Sequence, residues 1–553
     1  MSARLVALLA VGALALAACG GGGSGTPPTR ALGSTDINPQ PRDNVRDGGD
    51  LRVPLSLLPS NFNYNQVDGP GIDLGNIDDA VLPKMFDATA DGGFAVNPNY
   101  LTSAELTSAT PQVVTYSINP KAVWSDGTPI TWRDFQVYWQ ALNGTNPAYQ
   151  VAGTNGYSEM KSVARGVDDK QVVVTFAKPY GEWKSLFSPL TPASLNSSPA
   201  AFNTAWKTGM PLTSGPFSVQ AIDQTHKTVT LARNPTWWGA SAKLDRIIFQ
   251  YYDTSALSDA LANNELDLMG AGQVDLLRRA QQTPGVMIRV APGRNSFNVT
   301  LNGGAGAPLA DLPLRQAIAQ AVNRDEITRR MLGQVVPNPK TDGSHIYAPG
   351  EKEYQDNSDA LPYDPAHAQQ VLDSLGWVRP TPTAPRAKNG KPLSLRLVFA
   401  VDPSNLDMAK TLQNQLGQIG VTVNLVQVDP NQLFPVYVDR SNFDLALLGW
   451  QSTPAPFSDG AGIYEQPLGD NVQQNYGRIG SPQIDALTAQ GLAELDDTKR
   501  AQIGNQVDRL IWQEAHSVVL FALPGVRAVR SNVANLGSPG FADPDFINGG
   551  FLK

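Results

Sequence analysis

Val123-Trp124-Ser125-Asp126-Gly127-Thr128-Pro129-Ile130-Thr131-Trp132-Arg133-Asp134-Phe135 is the stretch that decides the fold of this chain. It follows Gln112 to Asn119, a run rich in β-branched residues that reads as a strand. Gly127-Thr128-Pro129 breaks the extended run, and Asp126-Gly127 supplies the turn. Thr131 then stands as a helix cap, with Asp134 in the acidic third position. Trp124 and Trp132 are placed to pin the turn to a core. The stretch therefore reads as strand, turn and helix start, a structural corner that is not expected to touch a ligand.

The same alternation runs outward in both directions. Lys170 to Ala177 reads as a strand stopped by Pro179. Leu314 to Met331 has helical periodicity. Asp364-Pro365 is a cap followed by proline at the first helical position, and Gly376 ends that helix. Leu393 to Ala400, Leu406 to Gly420 and Val421 to Val428 read as strand, helix, strand. Phe443 to Gly449 reads as a buried strand. Ser481-Pro482 and Asp497 each start a helix, the second running to about His516, and Ser517 to Leu523 closes the pattern. Mixed strands and helices over 553 residues imply α/β lobes rather than one sheet.

The amino-terminal end sets the compartment. Arg4 precedes an apolar run from Leu5 to Ala18, about 14 residues, which is too short for a bilayer span and suits a secretory signal. Leu16-Ala17-Ala18-Cys19 reads as a lipobox, with Cys19 as the lipidated first residue of the mature protein. Cys19 is the one cysteine of the chain, so no disulfide within the chain is possible. Gly20 to Asp50 opens with Gly-Gly-Gly-Gly-Ser-Gly, has few apolar residues and reads as a flexible linker. The expected location is the outer face of the plasma membrane, with membrane contact through the lipid only. The formal net charge is −8 and the basic residues are scattered, which disfavours nucleic acid as a partner.

Covalent chemistry finds little support. The four histidines, His226, His345, His367 and His516, form no His-x-x-x-His or His-Glu-x-x-His pattern. There is no Gly-x-Ser-x-Gly elbow and no phosphate-binding Gly-x-x-x-x-Gly-Lys loop. No catalytic residue, metal or cofactor is expected, although paired carboxylates of the glycosidase kind leave no local signature. What remains is aromatic: Trp124, Trp132, Trp139, Trp237-Trp238 and Trp450, with Tyr149, Tyr157, Tyr251-Tyr252, Tyr464 and Tyr476, suit a cleft that holds ligands by stacking.

The corner stretch, with Thr115-Tyr116-Ser117-Ile118-Asn119 before it, resembles the signature of the family 5 extracellular solute-binding proteins of ABC importers. The likeness continues in order through Ser214-Gly215-Pro216-Phe217, Leu231-Ala232-Arg233-Asn234-Pro235 with Trp237-Trp238, and Asn264-Glu265-Leu266-Asp267. It then takes in Leu314-Arg315-Gln316-Ala317-Ile318 to Asn323-Arg324, Tyr363-Asp364-Pro365 to Gly376-Trp377, and Phe443-Asp444 to Gly449-Trp450. It covers essentially all of the chain beyond the linker and is nearest to actinobacterial oligopeptide-binding lipoproteins. The resemblance implies a two-lobed, periplasmic-binding-protein-like (type II) α/β clamp with an inserted subdomain and a hinge. The expected parts are a signal (1–18), the lipidated Cys19 and linker (19–49), lobe 1 (50–86, 208–290 and 520–553), an inserted subdomain (87–207) and lobe 2 (291–519).

Family position places two segments at the cleft: the loop Asp68-Gly69-Pro70-Gly71 and the strand end Gly449-Trp450-Gln451-Ser452-Thr453. Tyr157, Asn475 and Tyr476 are further candidates. The resemblance implies an extended oligopeptide bonded through its main chain, closure by hinge motion, and delivery to ABC permease subunits by a monomer. One departure stands out. Peptide binders of this family often place an aspartate where this chain has Thr453, to pair with the peptide ammonium. Either another acid takes over, with Asp459, Glu465 and Asp470 near in sequence, or the amino end is not locked there. The expectation adopted is binding without a strict amino-terminal lock. The alternatives are a glycopeptide, glutathione-like, siderophore or opine cargo on the same fold, a surface-anchored hydrolase, and a receptor without a transporter.

Overall fold

The computed structural model describes residues 32–469 and 471–553. Leu32–Lys553 forms one compact unit. Cys19 and Asp470 lie outside the described residues.

Three groups of strands organise the unit. In the first, Asp50–Leu55, Arg246–Tyr251, Thr228–Arg233 and Phe217–Asp223 lie side by side in that order. The first two strands are parallel, and the others are antiparallel. Beside them stands a three-stranded sheet of Leu268–Gly270, Gly525–Arg530 and Val286–Ala291. The second group is the antiparallel sheet Leu101–Ala109, Gln112–Ile118, Gln171–Phe176 and Met160–Arg165. The third is a mixed five-stranded sheet in the order Thr422–Val428, Ser394–Ala400, Leu445–Trp450, Ser296–Leu301 and Ser517–Ala522. Its right half is a strand–helix–strand unit: Asp402 caps the helix Pro403–Gln418 through the amides of Ser404 and Asn405, and the flanking strands pair in parallel. Leu445 to Leu448 are all buried, as a strand covered on both faces must be.

The corner stretch does what its residues dictate. The Thr131 hydroxyl accepts from Arg133 N, and Asp134 Oδ2 accepts from Thr131 N at 2.9 Å, closing a capping box on the helix Trp132–Leu142. Gly127 takes a left-handed φ of 85°, the conformation the turn needs. Trp124 is buried and donates to Asp134. The core behind it is aromatic, with Tyr116, Phe135, Tyr138 and Phe187 in mutual edge or tilted contact.

The two sides of the clamp are joined where Ala291 leads to Ser296 and Ala522 leads to Gly525. There the two crossings run side by side, and Leu523 N donates to Asn295 O at 2.6 Å.

Three expectations change. The helical run expected from Leu314 to Met331 is two helices, Leu312–Gln320 and Arg324–Leu332, because Asn323 caps the second through Glu326 N. The lobe boundary expected at 519/520 falls inside a strand, since pairing with the five-stranded sheet continues to Ser296 opposite Ala522. The expected linker ends early: Asp36 N donates to Ser538 O at 2.8 Å, Val45 is fully buried, and Asp47 pairs with Lys243. This polar segment packs because the carboxy-terminal strand pairs supply its backbone partners.

Candidate ligand-binding cleft

The strand Leu445–Trp450 carries the first candidate segment out of its sheet. Its last pair joins Trp450 to Ser296. Burial ends there: Leu448 is buried, Gly449 and Gln451 are exposed, and Trp450 and Ser452 are half-buried. The Trp450 ring stacks on Tyr476, with centroids 5.8 Å apart and planes at 20°. Tyr476 in turn meets Phe434 at 5.5 Å. Two candidates from distant parts of the chain thus form one aromatic wall.

Thr453 turns the chain into the helix Pro456–Tyr464. Its amide donates to Asp459 Oδ2 at 2.5 Å, its hydroxyl pairs with Oδ1 at 3.2 Å, and the hydroxyl also accepts from Ala455 N at 3.1 Å. Burial raises the Asp459 pKa, and the two bonds from Thr453 oppose that rise. Of the acids near in sequence, Asp459 is the one bound to Thr453. The backbone carbonyl of Glu465 accepts from Asn475 instead.

The second segment is a tight loop. Asp68 N donates to Gln66 Oε1 at 2.7 Å, and Gly69 N to Gln66 O at 2.8 Å. A Cβ on Gly69 would lie 1.9 Å from Asn63 O, so only glycine fits. Asp68 and Gly71 are exposed. Gly71 is the N-cap of the helix Ile72–Val81 and offers no side-chain cap. Val67 and Ile72 beside it are 57% and 60% exposed. Burial raises the phenol pKa of Tyr64, just upstream of the loop, and the charges of Asp78 and Asp79 add to the rise.

Tyr157 and Asn475 go elsewhere. Tyr157, half-buried, packs on Tyr138 and Phe187 against the second sheet's core, and its hydroxyl accepts from Phe187 N at 2.8 Å. Asn475 is buried; its Nδ2 donates to Glu465 O and Ile479 O, and its Oδ1 faces Ile479 N and His516 Nε2. Both are packing groups whose polar atoms are satisfied by protein. Residues without any sequence signal stand at the seam: Glu182, Tyr180 and Arg294. Arg294 pairs with Glu351 at 2.7 Å, and its guanidinium also donates to Gly92 O at 3.4 Å. Among the described residues no group of three His, Cys, Asp or Glu is arranged to hold a metal ion. Among the same residues no helix is long and apolar enough to cross a membrane.

Two α/β sides joined by paired crossings define a two-lobed clamp of the solute-binding kind. The chain belongs to the bacterial extracellular solute-binding proteins, family 5, whose model matches residues 95–468. Members of this family bind solutes and are not enzymes. The chain is 43% identical over 527 residues to the oligopeptide-binding protein OppA of Mycobacterium tuberculosis, covering 95% of this chain and 88% of that protein. It is 27% identical to the probable monoacyl phosphatidylinositol tetramannoside-binding protein LpqW of the same organism, over 80% of this chain and 74% of that one. The fold matches the solved periplasmic EDTA-binding protein EppA with a TM-score of 0.84 at 24% identity, over 96% of this chain and 100% of that one. It matches the oligopeptide-binding protein AppA of Bacillus subtilis with a TM-score of 0.70 at 18% identity, over 92% and 100%.

Proposed function

We propose that this chain captures oligopeptides in the interlobe cleft and delivers them to an ABC permease, as a monomer anchored through a lipid on Cys19. The observation that carries the reading is the near full-length likeness to the mycobacterial oligopeptide-binding protein. Lobe 1 comprises 35–86, 208–290 and 523–553, the inserted subdomain 87–207, and lobe 2 291–522, with the crossing into lobe 1 drawn after Ala522. The cargo lies extended between Gly449–Thr453 and Asp68–Gly71, where glycines let main chain approach main chain. Specificity for side chains is loose, because backbone bonds are common to all peptides. The amino end is not strictly locked: Thr453 brings no charge, and Asp459 is already engaged by Thr453.

Native mass spectrometry of the unit Leu32–Lys553, followed by release and sequencing of what co-purifies, tests this. A ladder of peptide masses is the expected result. A single non-peptide mass overturns the cargo and leaves the clamp. For the anchor, replacing Cys19 with Ser in the full chain should release the protein from the membrane fraction.

A further inference from the structure

The first turn of the helix Pro456–Tyr464 has no cap from its own lobe, since Ala455 stands at the N-cap position. The acceptor comes from across the cleft. The Glu182 carboxylate accepts from Phe457 N at 2.8 Å, from Ser458 N at 2.9 Å and from Ser458 Oγ at 2.6 Å. Tyr180 Oη lies 2.8 Å from the same Ser458 Oγ. Glu182 is only 5% exposed. A carboxylate at a helix start satisfies otherwise unpaired amides and meets the positive end of the helix dipole. Charge-assisted bonds shielded from water are the strong kind. The neighbouring Lys184–Asp497 pair is 31% and 42% exposed at its side chains and adds little by comparison.

The helix so gripped starts directly after Gly449–Thr453 and carries Asp459, the acid that holds Thr453. Whatever fixes its first turn fixes the candidate ligand segment. Separation of the lobes breaks all three bonds together and returns a buried carboxylate to water. An open form would lack all three bonds at once, so closed and open would be two discrete arrangements.

We propose that Glu182 is a positioning residue for ligand capture: from the inserted subdomain it caps the helix that carries Asp459 and so holds the clamp closed over its ligand. The inference rests on the reading of Gly449–Thr453 as the ligand side. Its main test needs no ligand, so the two can fail separately.

The unit Leu32–Lys553 contains no cysteine, so spin-labelled cysteines introduced at exposed Lys161 and Asn414 report lobe separation. The expected result is that Glu182→Ala loses the short-distance population seen in the unsubstituted unit. Penta-alanine should then dissociate about tenfold faster or more, with a smaller change in association. Glu182→Gln, whose single amide oxygen can replace only one of the two carboxylate oxygens and which carries no charge, should recover both only in part. Ser458→Ala removes the hydroxyl contacts to Glu182 and Tyr180 but leaves both helix amides on Glu182, and should move both readouts the same way by less; it carries the test where Glu182→Ala fails to fold. Unchanged distances and dissociation in a folded variant overturn the proposal, even with a lowered melting temperature. If penta-alanine does not bind the unsubstituted unit, the peptide reading falls and the distances alone decide on Glu182.

Discussion

Thr453 binds the carboxylate of Asp459 twice, through its backbone amide at 2.5 Å and its hydroxyl at 3.2 Å. A carboxylate offers about four acceptor positions, so two donors leave room for a third partner. The charge of Asp459 is nonetheless partly offset before any ligand arrives. A free peptide ammonium should therefore gain little there. N-acetylation of penta-alanine is expected to weaken binding less than about tenfold, as is Asp459→Asn, both read by isothermal titration. A larger loss confined to free-amine peptides would assign the ammonium to Asp459.

The Trp450–Tyr476 stack belongs to the fold and, in the proposed function, to the ligand side as well. Trp450 is half-buried and packs into two hydrophobic clusters. Trp450→Ala should cost about 2 kcal/mol of stability, below the cost at a fully buried site, and should also weaken peptide binding. Trp450→Phe, which keeps a ring over Tyr476, should cost about half as much. Urea unfolding midpoints measure this, and equal effects of the two variants would refute a stacking role.

The capping box offers a local test. Thr131→Ala should cost about 1 kcal/mol. Asp134→Ala should cost more, on the order of 2–3 kcal/mol, because Trp124 Nε1, Ala193 N and Thr131 N all donate to this carboxylate. Denaturant titrations of both variants should show that order; the reverse order would contradict the geometry.

His516 gives the chain a pH dependence with a definite sign. Burial first, then the charges of His345 and Arg315, lowers its pKa to about 3. The unfolded chain takes up this proton near the ordinary histidine value of about 6.5, and the folded chain does not. The folded state therefore binds fewer protons, and stability falls as pH drops from about 6.5 towards about 3. The slope from this residue approaches about 1.4 kcal/mol per pH unit at most. His516→Gln should flatten the fall in urea-unfolding stability between pH 6.5 and 5. An unchanged slope would show that other groups control it.

The α/β order, the caps at Thr131, Asp364 and Ser481, and the family were all legible in the residues. Each rests on patterns a few positions long: a hydroxyl or carboxylate reaching an amide two or three residues on, or a short block met in a fixed order. Asn323 shows the limit of that reading, since helical periodicity ran on across a cap that breaks the helix in two.

Tertiary structure alone decided what lies across the cleft. Phe457 N and Glu182 are 275 residues apart, and no local pattern announces their bond. Tyr157 and Asn475 stand among the sequence candidates, but the fold gives their polar atoms protein partners: half-buried Tyr157 accepts from Phe187 N, and buried Asn475 bonds Glu465 O and Ile479 O. Residues 35–49 have the composition of a linker, yet they pack because the carboxy-terminal segment offers them backbone partners. Local hydrogen bonds and turn geometry are written in neighbouring residues. The partner of a buried charge is set by which surfaces the folded lobes bring together, and that depends on the whole chain at once.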